Sequence, residues 1–204
     1  MRLEPVRQRT RIHFVQAAGL ALVPAFFVAQ PHWDGAAHEF MEITGVCLIF
    51  FCVVGRMWSI LYVGSRKNRE LVTAGPYSMT RNPLYFFSTL GAVGIGLVFG
   101  SFLLALALGL IVYGILALTA AKESDHLRSL FGAEYELYAR RTPMFWPNAS
   151  LYREASELNF SPKALKALKG NLQDGLLFLA AFPAIETIEY LQQAGYIPVL
   201  IQLI

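Results

Sequence analysis

Residues 71–85 read LVTAGPYSMTRNPLY, a short polar insert carrying Gly75-Pro76, Arg81 and Asn82-Pro83 between apolar runs of the length a bilayer requires. Pro76 and Pro83 lack a backbone N–H and bias the residues before them away from the helical region. The segment is therefore expected to be extended or turned, with backbone groups left free. Irregular backbone at membrane depth is tolerated where protein or a wet cavity satisfies it. Taken alone, the stretch fits either a ligand-binding turn or a solvated connector.

Working outward, 204 residues leave room for one domain, and 55% hydrophobic residues with a mean hydropathy of +0.46 identify a membrane protein. The apolar residues come in blocks separated by charged linkers, whereas soluble helices keep a polar face. Four blocks read as spans: residues 12–29, kinked at Pro24; 39–63, which contains Arg56; 83–99, with Pro83 in its first turn; and 102–121. Gly100-Ser101 makes the last two an antiparallel hairpin. Residues 175–188 are interrupted by Pro183 and Glu186 and favour a fifth, broken or partly re-entrant segment; a soluble helical hairpin packed on the site is the alternative. Residues 196–204 are too short to span. The expected fold is all-α: a polytopic membrane protein of four to five transmembrane helices, its core over residues 1–147 and a C-terminal helical extension over 148–204 in the same domain.

Charge orients it. Arg2, Arg7, Arg9 and Arg11 precede the first span, Arg66, Lys67, Arg69 and Arg81 lie in the 64–82 linker, and further basic residues follow residue 121, while residues 30–38 and 100–101 carry no Lys or Arg. The positive-inside rule then puts the N-terminus and both polar stretches on the cytoplasmic side. The loop at 30–38 carries Trp33, an interfacial anchor by type. Lys163, Lys166 and Lys169, spaced along a short basic helix opened by Ser161-Pro162, suit anionic headgroups. The net charge of +3 has no basic face of the kind nucleic acid needs. Cys47 and Cys52 read as small buried hydrophobes. The first apolar run has no convincing cleavage site and reads as a retained span.

The second polar stretch, residues 122–147, leaves the membrane with Leu127, Leu130 and Phe131 on an amphipathic face, Gly132 as a helix stop, and a short helix over 134–141 ended by Pro143. Tyr135 and Tyr138 share one side of it. His13, His32, His38 and His126 are scattered over both faces without metal-ligand spacing, so no metal is expected. Gly91, Gly94 and Gly96, in GAVGIG, lie inside an apolar span and read as helix packing rather than a nucleotide loop. What remains is Arg81, Asn82, Tyr85, Glu123, Tyr135, Tyr138, Arg140 and Arg141. Aromatic faces with a carboxylate suit a cation, and an arginine suits a carboxylate or phosphate. Residue types alone leave a small-molecule site and an ordinary membrane interface both open.

The order of the motifs goes further. LVTAGPYSMTRNPLY, a glycine-rich span, then E-x-x-x-L-x-x-x-F-G-x-x-Y-x-x-Y from Glu123 to Tyr138 and RRTPMFWP up to Pro147, with RMWSILYVG ahead of them, resemble the integral-membrane methyltransferases typified by isoprenylcysteine carboxyl methyltransferase, relatives of the phospholipid N-methyltransferases. The resemblance covers residues 56–147. It implies a helical bundle whose cytoplasmic end holds S-adenosyl-L-methionine, with a lipid-facing opening for a lipophilic methyl acceptor. By position, Val72, Gly75, Pro76, Tyr77, Arg81, Asn82, Pro83, Tyr85, Tyr135 and Tyr138 would bind the cofactor. Arg141 and Glu123 would be catalytic, and Arg56 and Arg141 would hold the acceptor.

Two positions depart from the family. Asn82 stands where the best-studied members have histidine and cannot titrate as it would, and Ser124 stands where many have a second glutamate, which bears on the acceptor. A carboxylate acceptor needs no general base and would be held by Arg141 and Arg56; an amine would need deprotonation by Glu123. The expected activity is carboxyl O-methylation of an isoprenylcysteine-like or other lipophilic substrate. N-methylation of an amine lipid, S-methylation of a small thiol, and a non-enzymatic lipid- or partner-binding protein on the same scaffold are the alternatives. A transporter is disfavoured by the lack of an internal repeat. Oligomeric state is not legible in the sequence.

Overall fold

The computed structural model describes residues 27–31, 35–64, 69–154 and 162–203. In chain order its elements are β1 (Ala29–Pro31), α1 (Ala36–Val63), the short α2 (Pro76–Met79), α3 (Pro83–Val98), α4 (Phe102–Phe131), α5 (Ala133–Arg141), a 3-10 turn (Ala149–Leu151), α6 (Pro162–Gln193) and β2 (Ile201–Leu203). The expected first span over 12–29, apart from its last residues, lies outside the described residues, as do its basic leader, Trp33, Arg66, Lys67 and Ser161.

α1 and α4 are long and apolar enough to cross a membrane. Between them α3, with 16 residues, spans about 24 Å. Phe40, Ile43, Phe50 and Phe51 of α1 and Leu103, Leu106, Leu110 and Leu118 of α4 are exposed, a concentration of large apolar side chains that lipid, not water, accommodates. The helices are held together by close approach. A Cβ on Gly45 would lie 2.6 Å from the Gly94 carbonyl oxygen, and one on Gly94 would lie 2.8 Å from that of Gly45, so α1 and α3 cross backbone to backbone. A Cβ on Gly96 would meet the Ala105 backbone at 2.3 Å, which sets α3 against α4. The glycines of GAVGIG thus serve packing. Below that crossing, Ile49, Val98, Phe99 and Leu104 form a core completed by Ile185 of α6.

Helix starts and stops follow local chemistry. Pro83 opens α3, where its missing N–H costs nothing. Ser101 caps α4 by accepting a hydrogen bond from the Leu104 N–H at 3.1 Å, and Gly132, at φ 53°, ends it.

The helix that carries the fourth span outlasts the apolar run: α4 continues past Ala121 to Phe131, because Lys122, Glu123, Ser124 and Asp125 end the apolar stretch without breaking a helix. One expectation is corrected. The C-terminal extension is neither broken nor a hairpin. α6 is one helix with Pro183 inside it, running antiparallel along α1: Ala167 lies by Gly64, Gly175 by Val53 and Glu189 by His38. Proline normally breaks a helix interior, but here Phe182 and Ile185 on either side are packed against the core and hold the axis. The fold is helical as expected, with one small addition: β1 and β2 pair in parallel, Ala29 opposite Ile201.

Candidate functional site

The polar insert is held in shape by the segment that follows α5. Gly75 N–H donates to the Arg153 carbonyl at 2.7 Å, Arg81 N–H to that of Pro143 at 2.9 Å, and Asn148 N–H to that of Met79 at 3.0 Å. Side chains add to this: Thr80 Oγ1 donates to the Phe145 carbonyl at 2.9 Å and Asn82 Nδ2 to that of Met144 at 2.8 Å. The backbone groups that the two prolines were expected to leave free are therefore largely paired within the chain, by an extended segment that itself starts at Thr142-Pro143. Gly75 sits at φ 59° with the Tyr62 ring 2.2 Å from where a Cβ would be, so both conformation and space require glycine.

What this scaffold leaves open is a cavity of about 140 Å³ between the ends of α1, α3, α4 and α5. Val63, Leu71, Val72, Leu84 and Leu127 give it apolar walls, with Pro83 at the start of α3. Tyr77, Arg81, Asn82, Tyr85, Glu123, Tyr138 and Glu70 supply the polar groups. An apolar pocket with a few convergent polar groups is the usual form of a small-molecule site.

Two hydrogen-bonded units stand in it. Tyr85 Oη donates to Glu123 Oε2 at 2.8 Å, tying α3 to α4. Arg81 Nη1 donates to Ser124 Oγ and Tyr135 Oη, both at 3.2 Å, and those two hydroxyls are 2.6 Å apart. Arg81 Nε is buried with no partner, and among the described residues no carboxylate lies within ion-pair distance of Arg81. Its charge is thus held by neutral hydroxyls and is available to an anionic group. Tyr138 Oη donates to the Tyr77 carbonyl at 2.7 Å. Burial pushes the Tyr77 hydroxyl well above its ordinary range, helped by Tyr138, and it pushes Tyr138 up too, helped by Tyr135. Both stay protonated at neutral pH.

The structure gathers Val72, Tyr77, Arg81, Asn82, Pro83, Tyr85, Glu123 and Tyr138 around the cavity. Gly75 and Pro76 shape the turn behind it, and Tyr135, 1% exposed, backs Arg81. Arg56 and Arg141 are elsewhere. Arg56 is engaged between α3 and α6, with Nη1 donating to Ser88 Oγ at 2.6 Å and Nη2 to Asn171 Oδ1 at 2.8 Å. Arg141 is exposed at the end of α5. Neither lines the cavity, so the expected arginine pair is not assembled there; Arg81 is the arginine that reaches it. Sequence reasoning passed over Glu70, Leu71, Leu84 and Leu127. Leu127 was recoverable, being one helical turn beyond Glu123 on the same face; Glu70 directly precedes the motif, but nothing in its type marks it. Among the described residues no three His, Cys, Asp or Glu side chains come together to hold a metal ion.

Comparison with known proteins bears on what the cavity does. The family model for phospholipid methyltransferase matches residues 40–134. The chain is 32% identical over 202 residues to the nickel-cobalt-cadmium resistance protein NccN of Alcaligenes xylosoxydans xylosoxydans, covering 98% of this chain and 93% of that protein. It is 31% identical over 196 residues to the cobalt-zinc-cadmium resistance protein CzcN of Cupriavidus metallidurans, covering 96% and 89%. A shorter match, 31% identical over 83 residues and covering 40% and 35%, is to protein-S-isoprenylcysteine O-methyltransferase of Schizosaccharomyces pombe. No solved structure matches the chain.

Proposed function

We infer the reaction from what the chain is: it belongs to the phospholipid methyltransferase family and is a membrane methyltransferase. The methyl donor of this reading is S-adenosylmethionine, and the acceptor is a carboxylate on a lipophilic molecule that enters from the bilayer.

The observation that carries this reading is the charge pattern of the cavity. Glu70, Glu123 and Arg81 line it together, and S-adenosylmethionine carries two cationic groups and one carboxylate. Arg81, whose Nε lacks a partner, suits a carboxylate; Glu123, fixed by Tyr85, suits a cation. When bound, the cofactor supplies a methyl group on a positively charged sulfur, ready for in-line displacement. The chain's own work is then positioning and exclusion of water. Arg81 holds an anionic group, Tyr85 keeps Glu123 in one orientation, and Leu71, Leu84 and Leu127 keep the reacting atoms dry. A carboxylate nucleophile needs no proton removed. By the positive-inside argument the cavity faces the cytoplasm, and the domain boundaries remain those given above.

A second reading, N-methylation of an amine lipid, is favoured by one observation: Glu123 lines the cavity, a carboxylate of the type that takes a proton from an amine, while Arg56 and Arg141 do not line it. The names of the two long relatives suggest that whichever product is made serves tolerance of transition metals. Membranes containing the protein, incubated with radiolabelled S-adenosylmethionine and lipid extract, separate the readings. Label released as methanol by mild base supports the ester, base-stable label supports N-methylation, and no transfer to any lipid fraction refutes both.

A further inference from the structure

At the end of α1 away from the cavity, His38 faces Glu189 of α6, Nε2 to Oε2 at 3.8 Å. That is too long for a hydrogen bond, yet the two side chains are only 19% and 14% exposed. Buried polar atoms ordinarily have partners. Here three do not: His38 Nδ1, Glu189 Oε1 and Gln192 Oε1. Gln192 is 6% exposed. Its Nε2 is committed to the Phe27 and Ala29 carbonyls, both at 3.0 Å, which leaves the amide oxygen as the free end. Glu189 and Gln192 lie one helical turn apart on the same face. The α3–α4 turn and β1 close the corner, since a Cβ on Gly100 would lie 2.4 Å from His38 Nδ1 and 3.0 Å from Pro31 Cβ.

The charges around it share one sign. Glu42, a turn beyond His38, and Glu186, a turn before Glu189, are close enough to act on the Glu189 carboxylate. Among the described residues none of these three carboxylates has a lysine or arginine partner. The imidazole nitrogen facing Glu189, the Glu189 oxygens and the Gln192 amide oxygen can each offer a lone pair, so the corner presents acceptor atoms to a cation. Two ligands each about 2.0–2.2 Å from a shared ion stand roughly 3–4 Å apart, and the His38–Glu189 separation falls in that range.

We propose that this corner binds one divalent transition-metal ion of the zinc, nickel and cobalt class, through His38, Glu189 and the Gln192 amide oxygen, with water completing its coordination. Imidazole with carboxylate suits these ions and not magnesium or calcium. Only two of the ligands are of the His, Cys, Asp or Glu type, in keeping with the lack of any group of three among the described residues. The site is separate from the cavity: His38 and Val63 are about 37 Å apart along α1 at 1.5 Å per residue. Its effect is to lock β1 and the start of α1 to the end of α6, so binding stabilises the fold.

The test uses the full chain without an affinity tag, purified in detergent, stripped of metal and titrated with zinc and with cobalt. The expected result is saturation at one equivalent, a visible cobalt absorption band, and a rise in unfolding temperature on zinc addition. Glu189→Gln, nearly isosteric, and His38→Gln each weaken binding tenfold or more, while Tyr85→Phe in the cavity leaves it unchanged. Absence of saturable binding to the wild-type protein overturns the proposal, as does binding that persists unaltered in both variants. If the corner holds only water, zinc leaves the unfolding temperature where it was, and the proposal falls.

Discussion

Tyr85 of α3 donates a 2.8 Å hydrogen bond to Glu123 of α4 inside the cavity, so the two polar motifs, far apart in the chain, meet as one unit. A hydrogen bond to a charged group contributes about 1.5–3 kcal/mol. Tyr85→Phe removes this bond to the Glu123 carboxylate and is expected to weaken S-adenosylmethionine binding about tenfold, the equivalent of about 1.4 kcal/mol. Calorimetric titration of wild type and variant measures it, and equal affinities would separate this pair from the cofactor.

Arg81 is held by two hydroxyls, Ser124 Oγ and Tyr135 Oη. Ser124→Glu places a carboxylate against the guanidinium. It then competes with any anionic ligand group, so cofactor affinity is expected to fall by about tenfold or more, in line with the cost of a charge-assisted bond. Ser124→Ala removes a neutral partner only and is expected to have the smaller effect. The same titration compares the two.

The α1–α3 crossing makes a stability prediction. Gly45→Ala drives a methyl into the Gly94 carbonyl, 2.6 Å away, an overpacking that costs about 1–3 kcal/mol. Gly114 of α4 has nothing within 4 Å of its Cβ position; there Ala replaces Gly in an open helix and is expected to gain up to about 1 kcal/mol. Thermal unfolding in detergent should move the two variants in opposite directions.

Tyr138 and Tyr77 give a pH dependence with a definite sign. Burial raises both hydroxyls above the ordinary value of 10.0, so the folded chain keeps protons that the unfolded chain releases. Below about pH 10 both states are protonated and their contribution is constant; as pH rises beyond it, stability is lost. Tyr138→Phe is expected to lose about 1 kcal/mol at neutral pH, with its bond to the Tyr77 carbonyl, and to show a shallower alkaline decline. Unfolding midpoints between pH 8 and 11 would show both.

The motif residues were legible because proline, glycine and arginine have strong local meanings: the 71–85 insert and the Gly132 stop are where the sequence reading placed them. Tertiary matters were not. Arg141 and Arg81 look alike in sequence, and only packing shows that one is exposed and the other lines the cavity. Pro183 reads locally as a break, yet α6 stays whole because its neighbours are packed on α1 and α3. Charges after Ala121 mark the edge of an apolar run and say nothing about whether the helix continues. His38 and Glu189 lie at opposite ends of the chain, and no local spacing rule can join them.

The most direct test of the central claim is calorimetric titration of S-adenosylmethionine into the purified chain, with Arg81→Ala alongside. Saturable one-to-one binding that the variant weakens strongly is the expected result. No heat and no thermal stabilisation at millimolar cofactor would contradict it and leave the cavity to some other ligand.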